Sequence, residues 1–139
     1  MINKTSLKVE INTTASLHKT WDYFTNPIHI VKWYFASDDW CCPNAENDLQ
    51  VGGKFLTRMQ SKDGTMGFNF EGTYSVVELN KRIEYYLADA RTVSILFETI
   101  NNKTIVTEIF DAENENPIEI QQPGWQAILN NFKNFVEKN

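Results

Sequence analysis

The chain has 139 residues, 42% hydrophobic and 22% charged, which fits one globular domain over residues 1–139 with an ordinary core and leaves no room for a second. A formal net charge of -5, with no long run of Lys or Arg, argues against nucleic acid or an anionic membrane as the main partner. Nine Phe, five Tyr and four Trp exceed what a small core strictly needs, so an aromatic-lined cavity is as reasonable an expectation as a core simply filled with rings.

At the start, Met1 to Val9 carries Lys4 and Lys8 but no continuous apolar segment of the kind a signal peptide needs. No stretch elsewhere approaches the roughly 18 apolar residues of a membrane span. A cytoplasmic protein is expected. Leu7, Val9 and Ile11 alternate with Lys8 and Glu10, the period of a strand with one buried face. Thr13, Thr14 and Ser16 offer cap oxygens ahead of Leu17, Trp21 and Phe24, whose spacing predicts a short helix. Asn26 and Pro27 stop it and start a second short helix, with Ile28, Val31 and Phe35 as its buried side. From Ala36 to Gln50 the period dissolves, and a long loop is expected that sets Trp40 beside Trp33, Tyr34 and Phe35. Those rings either serve a site or close the edge of the core. The adjacent Cys41 and Cys42 cannot staple distant segments, and His18 and His29 fall in helices. Neither a disulfide framework nor a metal site is therefore expected.

Gly52-Gly53 breaks the chain before Phe55, Thr57 and Met59, the inward set of the next strand. Asp63-Gly64 has the residues of a tight turn with positive φ. The returning strand places Phe68, Phe70, Gly72, Tyr74 and Val76 on one side, and Gly72 in its middle suggests a bend or a close approach by another group. Turns at Asn80-Lys81, Asp89-Ala90 and Asn101-Asn102 separate Ile83, Tyr85 and Leu87 from Val93, Ile95 and Phe97, and these from a last strand over Thr104 to Phe110. In that strand Val106 and Phe110 compete with Ile105 and Ile109 for the buried face. An acidic connection through Asp111, Glu113, Glu115 and Pro117 reads as solvated. From Pro123 to Lys138, Trp125, Ile128, Leu129, Phe132, Phe135 and Val136 recur at helical spacing, with Gln126, Asn130, Asn131, Lys133, Asn134 and Glu137 opposite. The order is strand, two short helices, five strands in a meander, long helix. That is an α+β helix-grip, a curved antiparallel sheet wrapped around a long C-terminal helix.

Chemistry is less legible. There is no Gly-rich phosphate loop, no His pair at zinc spacing and no G-x-S-x-G, so no catalytic residue, metal or cofactor is assigned. His29 has no identified carboxylate partner. Glu71, Glu98 and Glu108 lie in strands and are expected to face solvent. A register shift of one would turn them inward, where a raised pKa would suit acid-base work.

The run Ala45-Glu46-Asn47-Asp48-Leu49-Gln50-Val51-Gly52-Gly53-Lys54-Phe55, the run Phe70-Glu71-Gly72-Thr73-Tyr74 and the helix start from Pro123, Gly124 and Trp125 to Leu129 resemble a known family. It is the activator of heat shock protein 90 ATPase homologue-like family, of the START and Bet v 1-like superfamily. The resemblance covers almost the whole chain; one departure is Gln50, where Arg is common. It implies a helix-grip domain with a cavity between sheet and last helix, in a superfamily that binds lipids, sterols and polyketides and whose namesake contacts a chaperone.

Combined with the residue pattern, this gives a binding module for an apolar small molecule. Trp33, Phe35 and Trp40 are expected at the mouth, Phe55, Met59, Phe68, Phe70, Tyr74, Tyr85 and Phe97 on the sheet, and Trp125, Leu129 and Phe132 on the helix. Tyr74 and Tyr85 would supply polar handles. The rival readings are a protein-interaction domain with a chaperone as partner, and a cyclase or hydrolase using a strand carboxylate. A monomer or weak homodimer is expected.

Overall fold

In the computed structural model, which describes residues 5–139, the alternating segments pair into one seven-stranded antiparallel sheet. The expectation about a leader at the N terminus falls partly on residues 1–4, outside the described ones. The strands are β1 (Ser6–Thr13), β2 (Trp40–Asn47), β3 (Lys54–Ser61), β4 (Gly67–Glu78), β5 (Arg82–Tyr86), β6 (Thr92–Ile100) and β7 (Lys103–Asp111). They lie in the order β1-β7-β6-β5-β4-β3-β2, so a meander from β2 to β7 is closed on one side by β1. The helices are α1 (Leu17–Thr25), α2 (Pro27–Ile30) and α3 (Ile118–Lys138). No helix among the described residues is long and apolar enough to cross a membrane.

The turns form where the backbone needs a left-handed residue. Gly64, Asn80, Asn101 and Asn102 all have positive φ. At the β3–β4 hairpin, the Asp63 carboxylate accepts hydrogen bonds from the Ser61 hydroxyl at 2.7 Å and from the Thr65 amide at 3.0 Å. The close approach expected at Gly72 is the Phe55 ring. A Cβ on Gly72 would lie 2.6 Å from that ring and 3.0 Å from the Tyr86 carbonyl oxygen.

Several elements depart from the sequence reading. The segment read as a long loop contains β2, a strand at the sheet's edge that pairs only with β3. A register shift between Cys41 and Asn44 breaks its alternation, which hid it. The meander therefore has six strands, not five. In β4 another shift between Tyr74 and Val76 turns Val77, not Val76, against the core. Helix α2 buries Ile30, while Ile28 is 71% exposed, because one turn presents only one inward position. His29 does have a carboxylate neighbour, Asp22, at 3.9 Å, and its ring stacks on Tyr23 with centroids 3.8 Å apart.

Helix α3 starts at Ile118 rather than Pro123, and Pro123 sits inside it. Its buried face runs Gln121, Leu129, Phe132 and Val136, with Trp125 partly buried between. Phe132 meets Phe24 at 5.2 Å and Trp33 at 4.8 Å between centroids. Trp21 and Phe24 of α1 pack on Phe97 of β6, so the core lies between sheet, α1 and α3. Each such side chain contributes on the order of 2 kcal/mol when buried.

The polar side of α3 is also engaged. Gln122 donates from Nε2 to the Lys8 carbonyl at 2.8 Å, and Gln126 both donates to the Glu10 carbonyl at 3.0 Å and accepts from the Glu10 amide at 3.3 Å. The Thr14 amide donates to Glu137 at 3.2 Å. The helix thus runs along the β1 edge and covers backbone groups that no strand pairs.

Candidate functional site

Beyond that edge contact, a groove of about 400 Å³ opens between the N-terminal half of α3, strands β3 and β4, and the connection from α2 to β2. Trp125 and Ile128 wall it from the helix, Met59, Phe68 and Phe70 from the sheet, Tyr34 and Phe35 from the connection, and Trp40 from the first position of β2. Side-chain amides hold its two lips. Asn131 of α3 donates to the carbonyls of Trp33 at 2.9 Å and Phe35 at 3.4 Å, which fixes the aromatic connection against the helix. The buried Gln121 accepts from the Glu113 amide at 2.9 Å and donates to the carbonyls of Glu113 at 3.1 Å and Asn116 at 2.6 Å. The acidic connection read as solvated is therefore fastened to the fold at one point.

Trp125 lies flat on Phe110, with centroids 3.8 Å apart and planes 8° apart. Phe70 stands edge-on to Trp125 at 6.0 Å and to Tyr85 at 6.2 Å. Behind Phe70 and Tyr34 lies a second cavity of about 40 Å³, lined among others by Phe55, Thr57, Tyr74, Tyr85 and Glu108. Tyr34 belongs to both walls.

Glu108 corrects the expectation that the strand carboxylates face solvent. The inward set of β7 is Thr104, Val106, Glu108 and Phe110, so Ile105 and Ile109 lose the competition and the acid is carried in between two hydrophobic neighbours. It is 6% exposed, while Glu71 and Glu98 are exposed on the outer side. Among the described residues no hydrogen bond engages its carboxyl. Burial pushes that carboxyl up from the ordinary 4.5 to about 8. Burial also holds the Tyr34 and Tyr85 hydroxyls well above the ordinary phenol range. The next contribution comes from Glu108 for Tyr34 and from Tyr34 for Tyr85. Tyr74 is different, because its hydroxyl donates to Asn47 Oδ1 at 2.5 Å and Asn47 in turn donates to the Thr25 carbonyl at 2.7 Å. Its polar end is occupied within the fold.

The residues named from the sequence thus divide three ways. Phe35, Trp40, Met59, Phe68, Phe70 and Trp125 meet in the groove. Phe55, Tyr74 and Tyr85 line the inner cavity. Trp33 is not at the mouth but 1% exposed in the core, because its indole donates to the Tyr23 carbonyl at 3.1 Å and its ring is packed by Phe24 and Phe132. Phe97, Leu129 and Phe132 are core as well. Tyr34 and Glu108 belong to the cavity and were not named as ligand residues. A broader depression of about 660 Å³, around Glu46, Lys54, Leu56, Glu71 and Tyr86, lies on the outer face without converging buried polar groups.

A curled antiparallel sheet gripping a long C-terminal helix, with two short helices after the first strand, makes this a START or Bet v 1-like helix-grip domain. The family described as Activator of Hsp90 ATPase homolog 1-like protein matches residues 14–137, and the chain belongs to it. The chain is similar to the AHSA1-like protein from Aeromonas hydrophila, whose solution structure is 38% identical with a TM-score of 0.86 over 95% of this chain and 93% of that one. A solution structure from Cytophaga hutchinsonii is 47% identical, with a TM-score of 0.83 over 96% and 93%. A crystal structure from Nitrosomonas europaea, 19% identical, shares the fold with a TM-score of 0.82 over 96% and 94%. No curated protein matches the chain.

Proposed function

We propose that this domain binds an apolar small molecule in the groove between α3 and the sheet. The observation that carries the reading is an aromatic-walled groove whose volume, about 400 Å³, falls within the roughly 300–1,000 Å³ of small-ligand sites. The walls come from three separate elements held by Asn131 and Gln121. A ligand there removes the exposed flank of Phe68 from water and completes the packing around Phe70 and Trp125. The setting we propose is a monomer or weak homodimer in the cytoplasm.

The test is native mass spectrometry of the chain purified from its own host, compared with its denatured mass, followed by organic extraction of any difference. A retained apolar compound that disappears in Trp125→Ala supports the reading. A chain that arrives without added mass and also binds none of a panel of apolar fluorophores removes it.

A second reading, a protein-interaction domain with a chaperone as partner, draws on the exposed apolar groove residues Phe68 and Ile120, 49% and 57% exposed, and on the family description. Capture of a host chaperone by the wild type, lost in Phe68→Ser, would favour it. The catalytic reading required an inward strand carboxyl, and Glu108 alone meets that requirement. Conversion of an extracted compound to a product of new mass would move the assignment there.

A further inference from the structure

Three polar groups of the inner cavity have no acceptor within the fold. Among the described residues, the hydroxyls of Tyr34 and Tyr85 and the carboxyl of Glu108 make no hydrogen bond to one another or to the backbone. The neighbouring acceptor, Asn47 Oδ1, is already taken by Tyr74. None of these polar atoms is among the side-chain atoms sealed from water without a partner, so they face the open space of the cavity. An arrangement of three around one cavity is met by water in the unliganded chain, and a ligand oxygen placed there would take that water's place.

Resting on the ligand-binding reading, we propose that the inner cavity receives the carbonyl oxygen of the ligand, a ketone, aldehyde, quinone or ester, with Tyr34, Tyr85 and Glu108 as its hydrogen-bond donors. The size suits this. On the same measure a water needs about 10–15 Å³, so about 40 Å³ accepts a carbonyl group and its flanking carbon but not a ring. The reach suits it too. Phe110, under Trp125, and Glu108 are successive inward residues of β7, so at roughly 3.4 Å per residue they are about 7 Å apart. A one- or two-ring body beside Trp125 therefore brings its substituent to the carboxyl. Tyr34 lines both spaces, and Tyr34 and Phe70, whose centroids are 6.2 Å apart, must part to let the substituent through.

Ligand chemistry is narrowed by charge. Burial keeps the Glu108 carboxyl protonated at neutral pH, which makes it a donor and repels no carbonyl dipole. A carboxylate ligand would need a free cation. The nearby Arg91 donates from Nε to Asp89 at 2.7 Å and is already paired. An ammonium ligand is the competing case, since beside its positive charge Glu108 would release its proton to solvent and pair with the ligand as the carboxylate.

The experiment titrates the full chain with three matched probes: 2-acetylnaphthalene, 2-ethylnaphthalene and 1-(2-naphthyl)ethylamine. Dissociation constants are read by NMR in the wild type, Glu108→Met and Tyr34→Phe, with the ketone carrying ¹³C at its carbonyl. The ketone should bind the wild type about tenfold more tightly than the hydrocarbon, the worth of roughly one to two net hydrogen bonds. Its carbonyl carbon should move downfield on binding. In Glu108→Met the preference should fall to about unity, and in Tyr34→Phe it should shrink, while the hydrocarbon binds both variants at least as well as the wild type. Equal binding of ketone and hydrocarbon by the wild type, or a preference unchanged in both variants, overturns the proposal and leaves the ligand-binding reading standing. Tightest binding of the amine overturns it in favour of a cationic ligand. Failure of all three probes to bind removes the ligand-binding reading and this inference with it. Both substitutions exchange a polar side chain for an apolar one of similar size. If the amide spectrum of Glu108→Met shows it unfolded, Tyr34→Phe decides alone.

Discussion

Trp125 of α3 rests face to face on Phe110 of β7, centroids 3.8 Å and planes 8° apart, so the floor of the core and the wall of the groove are one stack. Phe110 is 1% exposed and Trp125 only partly buried, and their substitutions should separate stability from binding. Phe110→Ala should cost about 3–5 kcal/mol in urea denaturation, through lost burial and the cavity left behind. Trp125→Leu should cost less than about 2 kcal/mol yet weaken naphthalene probes about tenfold. Equal stability losses at the two positions would contradict this division.

The pH dependence of stability should carry the mark of Glu108. Its carboxyl titrates at about 8 in the folded chain and near 4.5 when unfolded, so between those values the folded state holds more protons. Stability therefore falls as pH rises from about 4.5 to about 8, by an amount of the order of a few kcal/mol, and the loss is complete above that. Glu108→Gln keeps the shape without the ionisation. It should match the wild type at pH 5 and melt at a higher temperature at pH 9, as followed by circular dichroism.

Asp63 acts with the opposite sign. The Thr65 amide, then the hydroxyls of Ser61 and Thr65, hold its carboxyl at about 2, below the ordinary 3.8. Its contribution is present above the ordinary value and lost as pH falls through about 2. Asp63→Asn should flatten the acid end of the melting profile and leave the alkaline end as it was.

Gly72 has no room for a methyl group. The Phe55 ring that would meet it is held by Tyr85 at 4.6 Å and Tyr74 at 5.4 Å, so it cannot swing aside. Gly72→Ala should cost about 1–3 kcal/mol. Adding Phe55→Leu should recover part of that loss in a double-mutant cycle, and strict additivity of the two changes would show that the ring is not the obstacle.

The glutamines of α3 should be visible in hydrogen exchange. Gln126→Ala leaves the Glu10 amide without its partner, and that amide should exchange at least tenfold faster, with a stability loss of about 1 kcal/mol or less. Unchanged exchange at Glu10 would mean that water or another group replaces the side chain without penalty.

What the sequence disclosed follows from where periodicity is enforced. Strands paired on both sides, such as β5 and β6, must keep one face apolar, and Ile83, Tyr85, Val93, Ile95 and Phe97 announce them. Strand β2 has a partner on one side only and a register shift between Cys41 and Asn44, so nothing obliges its residues to alternate. Val77 displaced Val76 for the same reason, a shift that no residue type signals. In β7 two apolar pairs compete, and the one that wins carries an acid between its members, against transfer energies. The groove was legible as a concentration of rings. Its inner end was not, because Glu108 and Tyr34 come together only through pairing of β7 and packing of the α2–β2 connection. The one available signal was Glu108 between Val106 and Phe110 at a spacing of two.

An amide side chain is a chemical copy of the peptide group, and Gln122 and Gln126 present two such copies to β1, making three hydrogen bonds at the places where a further strand would bond. The helix thereby ends the sheet as a false strand, and the bonding valency of that edge is filled from within the molecule. Along this stretch another chain finds no free template to extend, so raising concentration adds separate domains rather than a growing ladder from β1. The opposite edge, β2, carries Pro43, which has no amide hydrogen to offer, beside the shift that twists it. A domain with an open apolar groove is thus guarded, at the level of its backbone, against turning that exposure into polymerisation.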